Sequence, residues 1–280
     1  MLQFPFNIKL GDNLDRWRNA VLNQDIDCVV LVDGKEGSGK SVHALQIAFM
    51  LDIEHSIDLD TQVCYTPEEV KIAITTLKKG KAIVFDEARR GLNRRRSTEK
   101  VNIDLTDLFA ECRQNNLFLV VVMPSFYDMD MNIAVWRSRA LVHVSYTWDL
   151  ENKAQPLVRG FARYYNEIGK KNMYCNKHYR TMYKYPYLKN ECFDYTFPHH
   201  YVVDEALYRA KKREAEAEYR VKDKGGKQPC GNCGSEDVRY NRKSKEYVCN
   251  KCPNKFSIVS EGITYNQRGE KKVLKPLINT

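Results

Sequence analysis

Residues Ile26 to Leu51 constrain this chain more than any other stretch. Ile26 to Val32 (IDCVVLV) is an unbroken, largely β-branched run, the pattern of a strand covered on both faces in a parallel sheet. It ends in Gly34-Lys35-Glu36-Gly37-Ser38-Gly39-Lys40-Ser41, and Val42 to Leu51 (VHALQIAFML) continues as a nearly all-apolar helix. Glycines at such a strand-to-helix turn let backbone N–H groups face inward, and the helix N-terminus adds partial positive charge. The loop therefore matches a phosphate cradle in the context that gives the match meaning. Lys40 is expected to reach the β- and γ-phosphates of ATP, and the Ser41 hydroxyl to bind Mg²⁺.

Such a site needs an acid at the end of a nearby strand, and Lys81 to Phe85 (KAIVF) runs into Asp86-Glu87, 46 residues after Lys40. Asp86 is expected to hold the magnesium through water or Ser41, and Glu87 to orient and polarise the attacking water. Charge building on the departing phosphate calls for an arginine, often supplied by a neighbouring subunit. Candidates are Arg113 and the cluster Arg89, Arg90, Arg94, Arg95 and Arg96. Arg113 leads because it ends a helix just before an apolar strand; its plainer role is a charge on the helix dipole.

The remaining pattern extends the sheet. Leu14 to Leu22 reads as an amphipathic helix, Gln62 to Tyr65 as a short strand, and Pro67 to Lys79 as a helix capped by Thr66. A helix from about Asp104 to Asn115 precedes two further strands, Leu117 to Met123 (LFLVVVM) and Ala140 to Tyr146. Strands alternating with helices predict an α/β fold, a parallel sheet with crossover helices, over residues 1–150. Beyond 150 the texture changes: nine of the 17 tyrosines lie between Tyr164 and Tyr201, and Val202 to Val221 reads as a charged helix followed by a Lys-Gly-Gly-Lys hinge. We therefore expect a basic, Tyr-rich appendage over 151–227 and a third region over 228–280.

That third region carries Cys230-Gly-Asn-Cys233 and Cys249-Asn-Lys-Cys252, two Cys-x-x-Cys knuckles with fifteen residues between the inner cysteines. The spacing predicts a structural Zn²⁺ ribbon, its shell closed by four thiolates, with Phe256 packed beneath the metal. Two disulfides would be the alternative, but the chain shows no basic-then-apolar leader and the other five cysteines are scattered, so a reducing compartment fits. Cys175, His178, Cys192 and His199 or His200 form a looser second candidate cluster.

Charge is unevenly placed. Residues 1–150 hold 18 Lys and Arg against 21 Asp and Glu, whereas 151–280 hold 27 against 15. Arg239, Arg242, Lys243, Lys245, Lys251 and Lys255 surround the ribbon, which resembles ribbons of transposases and transcription factors. Such a surface suits a polyanion such as nucleic acid, with DNA contact by the ribbon, although a solvated cationic face or a protein-docking knob carries the same signature. Arg89 to Lys100, with six cations and one acid in twelve residues, together with Asn93, either tracks DNA phosphates or is a solvated loop.

The run Asp86-Glu-Ala, followed by Leu108-Phe-Ala-Glu-Cys-Arg113-Gln-Asn-Asn-Leu-Phe-Leu-Val-Val-Val-Met-Pro124-Ser125, resembles the FtsK/HerA group of DNA-pumping ATPases, which includes viral genome-packaging ATPases. The likeness covers about residues 25–150. It implies a P-loop NTPase (RecA-like) core, a homo-oligomeric ring on double-stranded DNA, Arg113 acting across a subunit interface, and, for packaging, a capsid or portal protein as partner. The group's strand-end glutamine is absent, leaving Ser125 as the candidate γ-phosphate sensor. Lys35 stands where partition ATPases carry a signature lysine, while Glu87 favours the pumping group. The leading expectation is a cytoplasmic ATP-driven DNA translocase, in the host cytoplasm if viral, with no membrane span. The rivals are a nucleotide-timed DNA-binding regulator or partition ATPase, and a phage assembly ATPase of the zonula-occludens-toxin type.

Overall fold

A computed structural model describes residues 4–24, 26, 28–86, 112–149, 151–152, 157–223, 232–233, 235, 238–241, 246–252, 255–256, 263–265 and 271–273. The chain divides into two compact units, Met1–Arg209 and Ala210–Thr280.

The first unit is organised by one seven-stranded sheet. In chain order its strands are β1 (Cys28–Gly34), β2 (Val63–Cys64), β3 (Ala82–Phe85), β4 (Phe118–Met123), β5 (Ala140–Trp148), β6 (Leu157–Tyr165) and β7 (Cys192–Thr196), and their spatial order is β2-β3-β4-β1-β5-β6-β7. Strands β1 to β5 are mutually parallel, as the unbroken apolar runs predict; β6 and β7 add antiparallel. The sheet thus continues past residue 150, and β6 and β7 come from the stretch expected to be an appendage.

Helices α1 (Ile8–Gln24), α2 (Lys40–Leu51), α3 (Pro67–Thr76), α4 (Glu167–Cys175) and α5 (Lys177–Met182) belong to this unit, and α6 (Glu205–Asp223) begins in it. Every residue of β1 is buried. Its pleat sends Val29 and Leu31 into a core with Val70 and Ile74 of α3 and Met173 of α4, leaving Cys28, Val30 and Val32 for the opposite face. Each such fully buried side chain contributes about 1.5–3 kcal/mol. Helix α3 starts where the sequence places it: Thr66 accepts from the Glu69 amide at 3.2 Å, and the Glu69 carboxylate accepts from the Tyr65 amide at 2.6 Å. Of the helix expected over 104–115, only its last turn lies within the described residues.

Strand polarity positions the site. Parallel β1, β3, β4 and β5 all end at one edge of the sheet, where the glycine loop leaves β1. Because β6 runs back and β7 runs forward again, the chain after Thr196 is delivered to that same edge.

In the second unit β8 (Val238–Asn241), β9 (Glu246–Cys249) and β10 (Lys255–Phe256) form a three-stranded antiparallel sheet, and β11 (Ile263–Tyr265) pairs with β12 (Lys271–Val273). Among the described residues no helix is long and apolar enough to cross a membrane.

Candidate functional site

The glycine loop is forced by its neighbours. Gly34 has φ +148°, and a Cβ there would meet the Val144 carbonyl oxygen of β5 at 2.2 Å, so no other residue fits. Gly39 adopts φ +94° immediately before α2. Ser38 N donates to Lys35 O at 3.2 Å, closing the turn, and Lys40 Nζ lies 3.4 Å from the same carbonyl oxygen. The Ser38 hydroxyl is buried with no hydrogen-bond partner. An unmet buried hydroxyl beside a ring of glycines, at a helix N-terminus, suits an anionic oxygen ligand.

Asp86 follows β3, with β4 between that strand and β1. Its carboxylate is fully buried and meets the loop: Ser41 Oγ donates to Oδ1 at 3.3 Å. Oδ2 accepts from the Tyr208 hydroxyl of α6 at 2.5 Å. Burial and the Asp86 charge push the Tyr208 phenol far above its ordinary range, so it stays protonated and donates. The Tyr65 hydroxyl is also buried without a partner, and burial followed by the nearby Asp86 raises its pKa. The serine hydroxyl and carboxylate are hard oxygen donors, the kind magnesium takes while keeping most of its waters.

A second buried carboxylate, Asp33, is the next-to-last residue of β1, beside Gly34. Oδ2 accepts from the Phe126 amide at 2.8 Å and from the Tyr185 hydroxyl, while Oδ1 lies 2.8 Å from His143 Nδ1. Tyr185 stacks on His143, ring centroids 3.6 Å apart. Ser125 joins the same group: its hydroxyl is 3.3 Å from that of Tyr185 and caps the short helix Phe126–Asp128 by accepting from Tyr127 N. Ser125 therefore stands at the edge of the sheet where the glycine loop leaves β1, tied to Asp33 through Tyr185.

The segment after β7 covers α2. Gln46 Nε2 donates to the Pro198 and His200 carbonyls, both at 2.8 Å, so its Oε1 must face His43 Nδ1, 3.0 Å away. Nδ1 consequently carries the imidazole proton, and Nε2 accepts from the Tyr195 hydroxyl at 2.6 Å. Phe197 stacks on the same imidazole at 4.0 Å. Burial lowers the His43 pKa from 6.5 to about 4, and the Gln46 hydrogen bond restores only part of that. The neutral form is the folded form, so the His43 contribution to stability is complete above pH 6.5 and is lost as pH falls towards 4. At about 1.36 kcal/mol per unit, the loss reaches about 3 kcal/mol. Denaturant midpoints of wild type and His43→Gln should converge between pH 7 and pH 4.5; parallel profiles would rule this coupling out.

Arg113 is exposed and precedes the start of β4, at the edge opposite the loop. A strand's length separates it from its own chain's glycine loop, roughly 20 Å at about 3.3 Å per residue. Glu87 and the cluster from Arg89 to Lys100 lie outside the described residues. Sequence reasoning missed Asp33, His143, Tyr185 and Tyr208. Only Asp33 left a trace, as an acid interrupting an apolar run.

In the second unit, the thiol sulfurs of Cys233, Cys249 and Cys252 lie within 4.8 Å of one another; Cys230 lies outside the described residues. Cys233 and Cys249 are 3.6 Å apart, too far for a disulfide and close to the roughly 3.8 Å edge of a zinc tetrathiolate with Zn–S of about 2.3 Å. Lys251 N donates to Cys249 Sγ at 3.4 Å, as a thiolate favours. Zinc thus fits the donor set. Among the described residues no second group of three such ligands forms: Cys192 bonds the Leu188 backbone and His178 meets Lys184.

A mostly parallel sheet whose central strand feeds a phosphate loop, with an acid at the end of a strand beyond its neighbour, defines a P-loop NTPase fold. No protein-family model matches the sequence, and no curated protein does. Among solved structures, the chain is similar to the genome packaging NTPase B204 from Sulfolobus turreted icosahedral virus 2 in complex with ATP-gammaS, at 14% identity and TM-score 0.36, over 51% of this chain and 94% of that one. It is also similar to B204, the DNA-packaging ATPase from Sulfolobus turreted icosahedral virus, at 14% identity and TM-score 0.35, over 52% and 94%.

Proposed function

We propose that this chain hydrolyses ATP and spends the energy moving double-stranded DNA, working as a ring in the packaging of a viral genome. The observation that carries the ATPase reading is the meeting of Ser41 and Asp86, 3.3 Å apart, beneath a glycine loop with Lys40 at its helical end. Lys40 and the loop amides hold the β- and γ-phosphates. Bound magnesium would neutralise charge on those phosphates, held by Ser41 and Asp86, while Glu87 positions the attacking water.

Two features support the motor. Arg113 is too distant to serve its own loop, which suits an arginine offered to a neighbouring subunit. The cationic half, 27 Lys and Arg against 15 Asp and Glu over 151–280, suits a duplex gripped by its phosphates. Cys230, Cys233, Cys249 and Cys252 would hold a structural zinc. A capsid or portal protein is the partner this role requires.

The test is steady-state ATP turnover of zinc-replete protein with and without long duplex DNA, at low and moderate salt, with oligomeric state read in the same samples. We expect at least about fivefold stimulation, abolished by added salt and accompanied by ring assembly. Turnover indifferent to DNA, with ATP changing how a dimer holds it, would favour the nucleotide-timed regulator.

A further inference from the structure

Strand β5 does not stop at the glycine loop. Its partnership with β1 ends at Val144 opposite Gly34, and Ser145 to Trp148 run on beyond the sheet edge, paired with the start of β6. Within this projecting hairpin the register slips: Ser145 faces Phe161, but Thr147 faces Val158, so β6 carries one extra residue. The extra residue creates a β-bulge at Arg159-Gly160. Gly160 has φ +95°, and a Cβ there would meet the Phe197 carbonyl oxygen at 2.5 Å, so glycine is required. Phe197 N donates to Gly160 O at 2.8 Å, fixing the bulge against the chain that leaves β7.

The bulge aims Arg159 at the loop. Its Nε donates to the Gly37 carbonyl at 2.6 Å, and Gly37 is the apex of the phosphate cradle, with open space on its side-chain face. Arg159 makes no other hydrogen bond or ion pair among the described residues, and it is exposed. One edge of the guanidinium is therefore anchored while the terminal nitrogens remain available, beside a loop whose N–H groups collect anionic oxygens. Strand, bulge and anchor hold a permanent positive charge there at little entropic cost, in the planar fork that matches phosphate oxygens.

We infer that Arg159 contacts the terminal phosphate of bound ATP from within the same subunit and makes the site prefer triphosphate to diphosphate. This rests on the ATPase reading above and adds to it a substrate-contacting residue distinct from the arginine offered across an interface.

The experiment measures the affinities of fluorescent ATP and ADP analogues, with magnesium, for full-length wild type, Arg159→Gln and Arg159→Lys. Since Arg159 is exposed, unchanged thermal midpoints without nucleotide are expected and are checked. The Gln variant should lose about tenfold in ATP affinity while ADP affinity changes less than threefold, and the Lys variant, which keeps the charge but not the anchored fork, should fall between. Equal losses for both nucleotides would reduce Arg159 to a prop for the loop and overturn the inference, as would no loss. Wild type that binds neither nucleotide would overturn the ATPase reading along with it.

Discussion

Lys40→Ala should remove detectable ATP turnover and weaken nucleotide binding by about 100-fold while leaving the free protein folded. The ammonium stands at the helical end of the glycine loop, and its hydrogen bonds to phosphate would be of the charged kind, about 1.5–3 kcal/mol each, so losing one or two would account for that factor. The fold should lose little, because the contact to Lys35 O is stretched to 3.4 Å and α2 keeps its apolar packing. Calorimetric titration and thermal shift read the two halves separately. Wild type should gain stability with ATP as occupancy rises, whereas the variant should need about 100-fold more ATP for the same gain. A variant stabilised by the same ATP concentrations as wild type would show that the phosphates are held elsewhere.

Removing zinc should have the other large effect, confined to the second unit. Structural zinc in small thiolate modules supplies about 10–16 kcal/mol of apparent folding energy. Residues 210–280 have little else to draw on: their strands are two to four residues long, and the sequence there offers few apolar side chains. A strong chelator should therefore abolish hydrogen-exchange protection in β8, β9 and β10 while the seven-stranded sheet keeps its own. Cys249→Ser, at the buried end of β9, should do the same without chelator. Metal analysis finding no zinc, or protection that survives chelation, would defeat the ribbon reading.

What could be read in advance divides by distance along the chain. The strand, loop and helix from Cys28 to Leu51 are local, and apolar runs with glycines between them signal such a unit directly. Asp86 was legible because an acid ending an apolar strand has few other reasons to be there. Strand β6 was not: LVRGFARYY carries two arginines and a bulge that breaks its alternation, and part of its buried face is made by Gly160 and Ala162, residues without a hydrophobic signature. The partnership of Asp33 with Tyr185 spans 152 positions, and nothing in either neighbourhood announces the other. Of the nine tyrosines from Tyr164 to Tyr201, four (Tyr164, Tyr165, Tyr174 and Tyr195) are buried in this unit, since a phenol fills a core and can still satisfy a polar group at its far end.

Those phenols decide where the molecule can be cut. A truncation after residue 150 would keep every residue of the glycine loop, yet it would leave β5 as a raw edge strand and strip three buried groups of their donors: Asp33 of Tyr185, His43 of Tyr195 and Asp86 of Tyr208. The smallest self-sufficient piece of the first unit therefore ends beyond Tyr208. Insertions between β6 and β7, or a protease cleaving there, should disturb the candidate site although the loop itself lies more than a hundred residues earlier.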